Sequence, residues 1–229
     1  MTKSAETAHD LVVFGATSFV GQILTRYLLE TYGVGKSVKW AIAGRSESKL
    51  NALKSELGEK ASAVPVILAD ASDEDALKAM CEQTRVIIST VGPYALYGEP
   101  LVQACVRSGT DYCDLTGEVQ WIGKMVQRYE EEAKASGARI VHCCGFDSIP
   151  SDMGVWFLQN QAEQTFGEPC RDVRMRVKTA KGEFSGGTVA SLMNAVKEAS
   201  ADPKLRKQMA NPFSICPPEH RSKTRQPSL

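Results

Sequence analysis

The chain has 229 residues, of which 43% are hydrophobic and 24% are charged, as in an ordinary folded globular protein. Lys and Arg together number 27, as do Asp and Glu, so no net field favours binding to nucleic acid or to an anionic membrane. No apolar run approaches the roughly 20 residues that cross a bilayer, so we expect no transmembrane segment.

The seven cysteines are irregularly spaced and include no C-x-x-C pair, which gives no support to a zinc site or a thioredoxin-like centre. Several of them lie next to apolar residues, as buried thiols do. We therefore expect no bound metal and a reducing, cytoplasmic setting, with a peripheral position at a membrane left open.

Short apolar runs alternate with longer amphipathic stretches through the first 142 residues, which is typical of a parallel sheet wrapped by helices. The predicted strands cover 11–14, 38–43, 64–68, 86–90, 112–115 and 139–142. The predicted helices cover 20–32, 47–57, a segment from a cap at Ser72 to 82, 99–108 and about 120–136. The pattern predicts an α/β fold, a doubly wound parallel sheet of the Rossmann type.

The alternation of short apolar runs with amphipathic stretches ends after residue 142. A helix is predicted over 153–164, a solvent-faced strand over 173–179, and a second helix over 188–200. From Asn211 onward, four prolines and a basic cluster predict no regular element. We place the boundary of the first domain between Gly145 and Ser151.

The segment from Gly15 to Gly21 joins the first strand to the first helix and is predicted to hold a pyrophosphate. Gly15 permits a tight turn, Gly21 lets the helix pack close to the sheet, and the N–H groups at the helix start accept the anion. Ser18 replaces the middle glycine of the usual G-x-x-G-x-x-G spacing. The predicted contacts are Gly15, Thr17, Ser18, Phe19, Val20 and Gly21. The alternative is a plain strand-to-helix turn.

The end of the second strand indicates which nucleotide binds. A domain specific for NAD places Asp or Glu there to hold the ribose 2′-hydroxyl, but this chain reads Gly44-Arg45-Ser46. A carboxylate would repel a 2′-phosphate, whereas Arg45 can form a charge-assisted fork to it and Ser46 can add a hydroxyl donor. The sequence therefore predicts NADP(H) rather than NAD(H). The alternative is that Arg45 only lies along the helix surface.

Two further loops lie at carboxyl ends of strands, where ligands of doubly wound sheets bind. Asp70 is predicted to meet the adenine end of the nucleotide. Val91, Gly92 and Pro93 are predicted to lie along the pyrophosphate and the nicotinamide ribose. Gly92 and Pro93 could equally form a turn without a ligand role, since turns favour both residues.

Five stretches occur in a recognisable order. They are 15–21 (GATSFVG), 43–45 (AGR), 91–94 (VGPY), 114–118 (DLTGE) and 145–152 (GFDSIPSD). Together they resemble the saccharopine dehydrogenase-like oxidoreductases, in the branch of the trans-acting enoyl reductases. The resemblance extends to Ser185-Gly186-Gly187-Thr188 and to Asn211-Pro212-Phe213, and so covers nearly the whole chain.

The resemblance implies an NADPH-dependent reductase of the enoyl-reductase type, acting on a lipid-like or polyketide-derived substrate in glycolipid or lipid metabolism. It implies an NADP-binding domain over 1–150, the start of an α+β substrate and dimerisation domain over 151–210, and an irregular tail over 211–229. Relatives in this branch are longer, so we expect this chain to stop inside its second domain. Ser148-Ile149 departs from the Pro-Gly of true saccharopine reductases, which argues against saccharopine as substrate.

Three residues are candidates for catalysis. Asp147 could orient the substrate or relay a proton, with Ser148 beside it as a partner for a carbonyl group. Glu118 could be a general acid or a substrate contact, although a carboxylate at a helix start is also favoured by the helix dipole. Tyr94 could donate a proton, although such tyrosines more often form apolar walls around a cofactor. His142 is interpreted as a core histidine.

Other functions remain open at this point. A short-chain dehydrogenase needs a Tyr-x-x-x-Lys pair on a helix beside the nicotinamide, and the only such spacing, Tyr32 with Lys36, lies in a loop far from the strand ends. A non-catalytic NADP(H)-binding module or redox sensor is the main alternative to an enzyme. The predicted edge strand 173–179 leaves a homodimer open.

Overall fold

The computed structural model describes residues 7–179, 181–182, 184–217 and 219. Six parallel strands form one sheet in the order β3-β2-β1-β4-β5-β6. The strands are His9–Phe14 (β1), Trp40–Gly44 (β2), Val66–Leu68 (β3), Thr84–Ser89 (β4), Asp111–Asp114 (β5) and Ile140–Val141 (β6). The order reverses between β1 and β4, which are neighbours in register from His9 to Phe14. This arrangement confirms the predicted doubly wound Rossmann sheet.

Helices connect the strands on both faces of the sheet. They are Phe19–Tyr32 (α1), Glu47–Leu57 (α2), Glu74–Glu82 (α3), Tyr94–Tyr97 (α4), Glu99–Ser108 (α5) and Val119–Ser136 (α6), with a 3₁₀ turn at Glu59–Ala61. The one-turn helix α4 has no counterpart in the sequence prediction. The predicted cap of α3 is wrong by one residue, because Asp73 caps that helix and the Ser72 hydroxyl instead donates to Asp70.

The core consists of two apolar layers, one on each face of the sheet. Alternate residues of a strand point to opposite faces, so Val12 packs against α3, α5 and α6 while Val13 packs against α1 and α2. The first layer includes Leu77, Met80, Leu101 and Trp121, all of them buried. The layers on both faces explain why the strands read as continuous apolar runs.

Three more helices follow β6: Ile149–Phe166 (α7), Gly186–Ala201 (α8) and Pro203–Met209 (α9). Helix α7 begins four residues earlier than predicted, so Ser151 and Asp152 lie inside its first turn, and the Ser148 side chain before it makes no capping hydrogen bond. Helix α9 has no counterpart in the prediction. None of the helices in the described part of the chain is both long enough and apolar enough to cross a bilayer.

The predicted strand over 173–179 is wrong. These residues have no regular structure, and the side chains of Met175 and Val177 are mostly exposed. A strand is stable only when its backbone pairs with a neighbour, and no described residue pairs with this segment. In the predicted irregular tail, residues 211–217 form bends and turns, and 218 and 220–229 lie outside the described residues.

Candidate cofactor and active site

The loop between β1 and α1 requires glycine at two positions. Gly15 has a φ of +87°, and a β-carbon built on it would lie 2.7 Å from Val91 Cγ2. A β-carbon built on Gly21 would lie 2.2 Å from the Gly15 carbonyl oxygen, so only glycine lets α1 pack this close to the loop. These contacts leave the backbone exposed at the end of the strand, as a site for a pyrophosphate requires.

Ser18 is the N-cap of α1, and its hydroxyl has two partners. It accepts a hydrogen bond from Gly21 N at 3.0 Å and donates one to Thr90 Oγ1 at 2.9 Å. Thr90 Oγ1 in turn lies 2.8 Å from the Gly15 carbonyl oxygen, to which it donates. Ser18 thus ties the loop to the end of β4, a role that the spacing argument did not foresee.

The first turn of α1 offers free donors to an anion. Among the described residues, none accepts a hydrogen bond from the N–H groups of Phe19 and Val20. Both residues border a cavity at the carboxyl ends of the strands. Free N–H groups together with the positive end of the helix dipole fit a phosphate group at this position.

A groove of about 570 Å³ runs across the carboxyl ends of β1, β2, β3 and β4. Its walls contain eight of the predicted cofactor contacts: Gly15, Thr17, Ser18, Gly44, Arg45, Asp70, Val91 and Gly92. Phe19 and Val20 border the neighbouring cavity instead. Ser46, Pro93 and Gly21 are not wall residues: Ser46 caps α2, Pro93 is the residue before α4, and Gly21 packs against the loop.

Arg45 and Asp70 lie together at one end of this groove. The Arg45 side chain is exposed, so its guanidinium can reach a ligand phosphate. The Asp70 carboxylate accepts from the hydroxyl and the N–H of Ser72, at 2.7 and 2.9 Å. These two bonds lower the pKa of Asp70 below its ordinary value, and the charge of Arg45 lowers it further. Asp70 is therefore an acceptor next to the positively charged end of the groove.

A second cavity, of about 400 Å³, adjoins the groove at Ser18, Thr90 and Gly92. Its floor is the loop after β5, and one side is α8. The α8 side consists of Ser185, Gly187, Thr188, Ser191, Leu192 and Ala195. The sequence predicts α8 as a helix but gives no sign of its role at this cavity, although Ser185 to Thr188 belongs to the family resemblance.

All three catalytic candidates lie at this second cavity, but they differ in exposure and in hydrogen bonding. Asp147, in the turn between β6 and α7, is exposed and borders the cavity. Glu118 is 6% exposed, and its carboxylate accepts three hydrogen bonds, from Tyr94 N at 2.8 Å, Ala95 N at 2.9 Å and Ser191 Oγ at 2.9 Å. Glu118 thus caps the short α4 and not its own helix α6.

Tyr94 is buried, and its hydroxyl donates to the Ser89 carbonyl oxygen at 3.0 Å. Burial raises the pKa of Tyr94 well above its ordinary value, and the nearby carboxylates of Asp114 and Glu118 raise it further. The ring packs on Trp121, with centroids 5.6 Å apart. This geometry favours the wall role for Tyr94 over that of a proton donor.

His142 is largely buried, as its apolar neighbours predict, and it bonds to a carboxylate that no sequence pattern indicates. Its Nδ1 lies 2.7 Å from Oδ2 of Asp114, whose side chain is fully buried. Asp114 also accepts from the Tyr112 hydroxyl and from the N–H groups of Thr116 and Cys143. Asp114 thereby holds together the ends of β5 and β6 below the second cavity.

Comparison with known proteins agrees with this geometry. Residues 11–141 match the family described as the saccharopine dehydrogenase NADP binding domain. The chain belongs to this family. Its cofactor is therefore NADP(H), and the family match covers the whole six-stranded sheet except for the first residues of β1.

Relatives with this domain include enoyl reductases by name. A Mycobacterium tuberculosis trans-acting enoyl reductase is 40% identical over 212 residues, which are 92% of this chain and 50% of the relative. Another M. tuberculosis protein, whose name also refers to a trans-acting enoyl reductase, is 43% identical over 208 residues, 91% of this chain and 49% of its own. This chain thus spans about half the length of the relatives that it matches.

A solved structure supports the fold. Apo saccharopine dehydrogenase (L-Glu forming) from Saccharomyces cerevisiae matches 68% of this chain and 32% of its own, with a TM-score of 0.55. The sequence identity is 19%, so this likeness concerns the fold alone. The match agrees with the six-stranded Rossmann-type sheet of this chain.

Proposed function

We propose that this chain carries the cofactor site of an NADPH-dependent reductase of the enoyl-reductase type, acting on a lipid-like or polyketide-derived chain. The observation that carries the proposal is the pair of adjoining cavities at the carboxyl ends of the strands. The long groove suits a dinucleotide, and the second cavity suits the reacting end of a substrate beside it. The names of the relatives support the reaction class.

The proposed cofactor contacts run from the junction of the two cavities along the groove. At the junction, next to Ser18, the free N–H groups of Phe19 and Val20 would hold the pyrophosphate. In the groove, Arg45 would pair with the 2′-phosphate as a charge-assisted fork. Asp70, an acceptor beside Arg45, would contact the adenosine end. Bound NADPH supplies the hydride of the reaction, so the protein has to position the substrate, exclude water and supply a proton.

Among the three candidate catalytic residues, Asp147 is the one we propose for orienting substrate or relaying a proton. It is exposed at the second cavity, and no described residue forms a hydrogen bond or ion pair with its carboxylate. The Tyr94 hydroxyl and the Glu118 carboxylate are held by buried hydrogen bonds, so we assign them to the wall of the cavity and to its support. Apolar wall residues, Val20, Leu115 and Leu192, suit an aliphatic chain.

A second candidate function is a non-catalytic NADP(H)-binding module. It is favoured by the same hydrogen bonds, because they leave only one of the three predicted acid groups exposed at the cavity. A homodimer and a peripheral position at a membrane also remain proposals. Each would be recognised directly, by sedimentation of the chain and by its co-flotation with lipid vesicles.

The test of the cofactor contacts is a calorimetric titration with NADPH and with NADH. Arg45→Ala is expected to weaken NADPH binding by about tenfold to a hundredfold, the worth of a hydrogen bond to a charged group, and to leave NADH binding unchanged. Lys49→Ala, which removes an exposed positive charge one turn along α2, is the matched control and is expected to behave as wild type. Equal losses in both variants would contradict the Arg45 assignment.

The test of the reaction is oxidation of NADPH with a 2-enoyl thioester, followed by absorbance. Turnover that falls in Asp147→Asn, with NADPH affinity unchanged, would support the reductase and the role of Asp147. Tight binding of NADPH without turnover of any enoyl thioester would favour the binding module.

A further inference from the structure

Helix α8 forms one side of the second cavity although it has no apolar core of its own. Residues on this helix bury no side chain completely, and Leu192 and Met193 are 65% and 69% exposed. Two side-chain hydrogen bonds connect it to the sheet domain: Ser191 Oγ to Glu118 Oε1 at 2.9 Å, and Gln120 Nε2 to Glu198 Oε2 at 3.0 Å. Both polar contacts join α8 to the start of α6, on the same side as the cavity.

The Glu118 carboxylate determines how the Ser191 hydroxyl is oriented. An ionised carboxylate only accepts hydrogen bonds, and two backbone N–H groups, of Tyr94 and Ala95, already donate to it. The Ser191 hydroxyl must therefore give its hydrogen to Glu118. What Ser191 Oγ can still offer is its lone pairs, so it acts only as an acceptor towards any further partner.

These lone pairs lie next to the loop that follows β4. A β-carbon built on Gly92 would be 3.8 Å from Ser191 Oγ, and both residues border the second cavity. Gly92 also borders the nucleotide groove, so Ser191 is placed at the junction of the two cavities. In a doubly wound sheet the nicotinamide half of the dinucleotide lies on the β4 side of the strand-order reversal, which is the side of Gly92.

We propose that Ser191 accepts a hydrogen bond from the nicotinamide half of NADP(H), with Glu118 as its positioning residue. The donor is either the carboxamide N–H or a ribose hydroxyl, which share the chemistry of a neutral donor. The inference rests on the proposed cofactor placement in the groove, and it adds a contact from outside the Rossmann sheet. Cofactor binding then strengthens the attachment of α8 over the substrate cavity.

The experiment compares Ser191→Ala, which removes the acceptor, with Ser191→Thr, which keeps it. Ser200→Ala is the matched control, because Ser200 is exposed on the same helix and its hydroxyl donates only to the Val196 carbonyl. NADPH affinity is measured by calorimetry on the full chain, and bound NADPH is observed by the fluorescence of its reduced nicotinamide. Thermal unfolding of each variant is recorded alongside, to show that it is folded.

Ser191→Ala is expected to weaken NADPH binding by about twofold to tenfold, the range for one net hydrogen bond, and to change the fluorescence of the bound nicotinamide. Ser191→Thr and Ser200→Ala are expected to match wild type in both readouts. Glu118→Gln is expected to lose at least as much NADPH affinity as Ser191→Ala, because it also disturbs the two backbone bonds at the start of α4. Adding Ser191→Ala to Glu118→Gln is expected to cause little further loss, because Ser191 then lacks its positioning residue.

A cofactor analogue identifies the donor. The titration is repeated with NADP⁺ and with its analogue in which a carboxylate replaces the carboxamide. A Ser191→Ala effect that is present with NADP⁺ and absent with the analogue assigns the carboxamide N–H, and an equal effect with both assigns the ribose hydroxyl.

Two results would overturn the inference, and they differ in whether the proposed function still stands. If wild type binds NADPH and Ser191→Ala binds it as tightly as Ser200→Ala does, the Ser191 contact is wrong while the proposed function stands. If wild type does not bind NADPH at all, the proposed function of this chain is wrong, and the inference falls with it.

Discussion

The sheet domain, residues 9–141, and the helical segment after it, residues 149–209, differ in what holds them in place. Nearly all of the buried apolar residues belong to the sheet domain, and among the described residues after Ala138 only Ala162 is both apolar and buried. Helix α7 illustrates the contrast, because Trp156 and Phe157 are 62% and 61% exposed on it. The sheet domain has its own core, and the described residues of the helical segment form none.

This difference bears on the site, because each region contributes one side of the second cavity. The sheet side is fixed by packing: Tyr94 and Trp121 lie in the core, and a buried carboxylate, Glu118, is supported by backbone N–H groups. The α8 side is fixed by single hydrogen bonds, which contribute about 0.5–1.5 kcal/mol each. We therefore expect α8 to respond to what binds in the cavity more than the sheet does.

The largest effect expected from this comparison is on stability after matched Leu→Ala substitutions. Leu77 on α3 is fully buried, so Leu77→Ala should lower the free energy of unfolding by about 2–5 kcal/mol. Leu192→Ala on α8, where the side chain is 65% exposed, should change it by less than about 0.5 kcal/mol. Urea unfolding checks both. A loss above 2 kcal/mol for Leu192→Ala would mean that the face of α8 is covered in solution.

Replacing two helical glycines by alanine is expected to change the free energy of unfolding by a smaller amount. The change should have opposite signs in the two regions. Gly21→Ala forces a β-carbon against the Gly15 carbonyl, so the free energy of unfolding should fall by about 1–3 kcal/mol, and NADPH affinity should fall with it. Gly154 on α7 has nothing within 4 Å of a built β-carbon, so Gly154→Ala should raise the free energy of unfolding by about 0.5–1 kcal/mol. Similar losses in the two variants would contradict the close packing assigned to Gly21.

The smallest expected change in the free energy of unfolding concerns two carboxylates, and it depends on pH. The Lys39 N–H holds the pKa of Asp10 below its ordinary value of 3.8, and the Arg85 guanidinium lowers it further. A lowered pKa means that ionised Asp10 stabilises the folded chain above its unfolded-state pKa, and that this contribution is lost as pH falls through the folded-state pKa.

Asp10→Asn should therefore lower the free energy of unfolding by about 1 kcal/mol at pH 5–7, and the difference from wild type should narrow below pH 3.8. Asp172→Asn is the control from the second region, since Asp172 pairs with Arg174 in an exposed contact and should matter little at any pH. Urea unfolding at pH 7, 5 and 3 makes the comparison. A pH-independent deficit in Asp10→Asn would show that the charge is not the cause.

The glycine-rich turn after β1 and the cofactor choice could be predicted from the sequence because they depend on local geometry. A strand, a glycine-rich turn and a helix in succession leave little freedom in where the backbone N–H groups point. Gly15, Arg45 and Asp70 each follow a strand end, and parallel strands bring those ends to one edge. The strand predicted over 173–179 failed because alternation in sequence does not supply a pairing partner.

The sequence by itself determined the Rossmann sheet, its order of elements and the family, since apolar periodicity and closely spaced motifs depend on neighbours along the chain. Only the tertiary structure decided what Glu118 does. Its partners Tyr94 and Ser191 lie 24 and 73 residues away, and no spacing rule connects them. Hydrogen bonds between distant elements exist only after the core has brought the elements together. For that reason the place of α8 at the cavity, the contact of Ser191 with Glu118 and the buried Asp114–His142 pair became visible only in the folded chain.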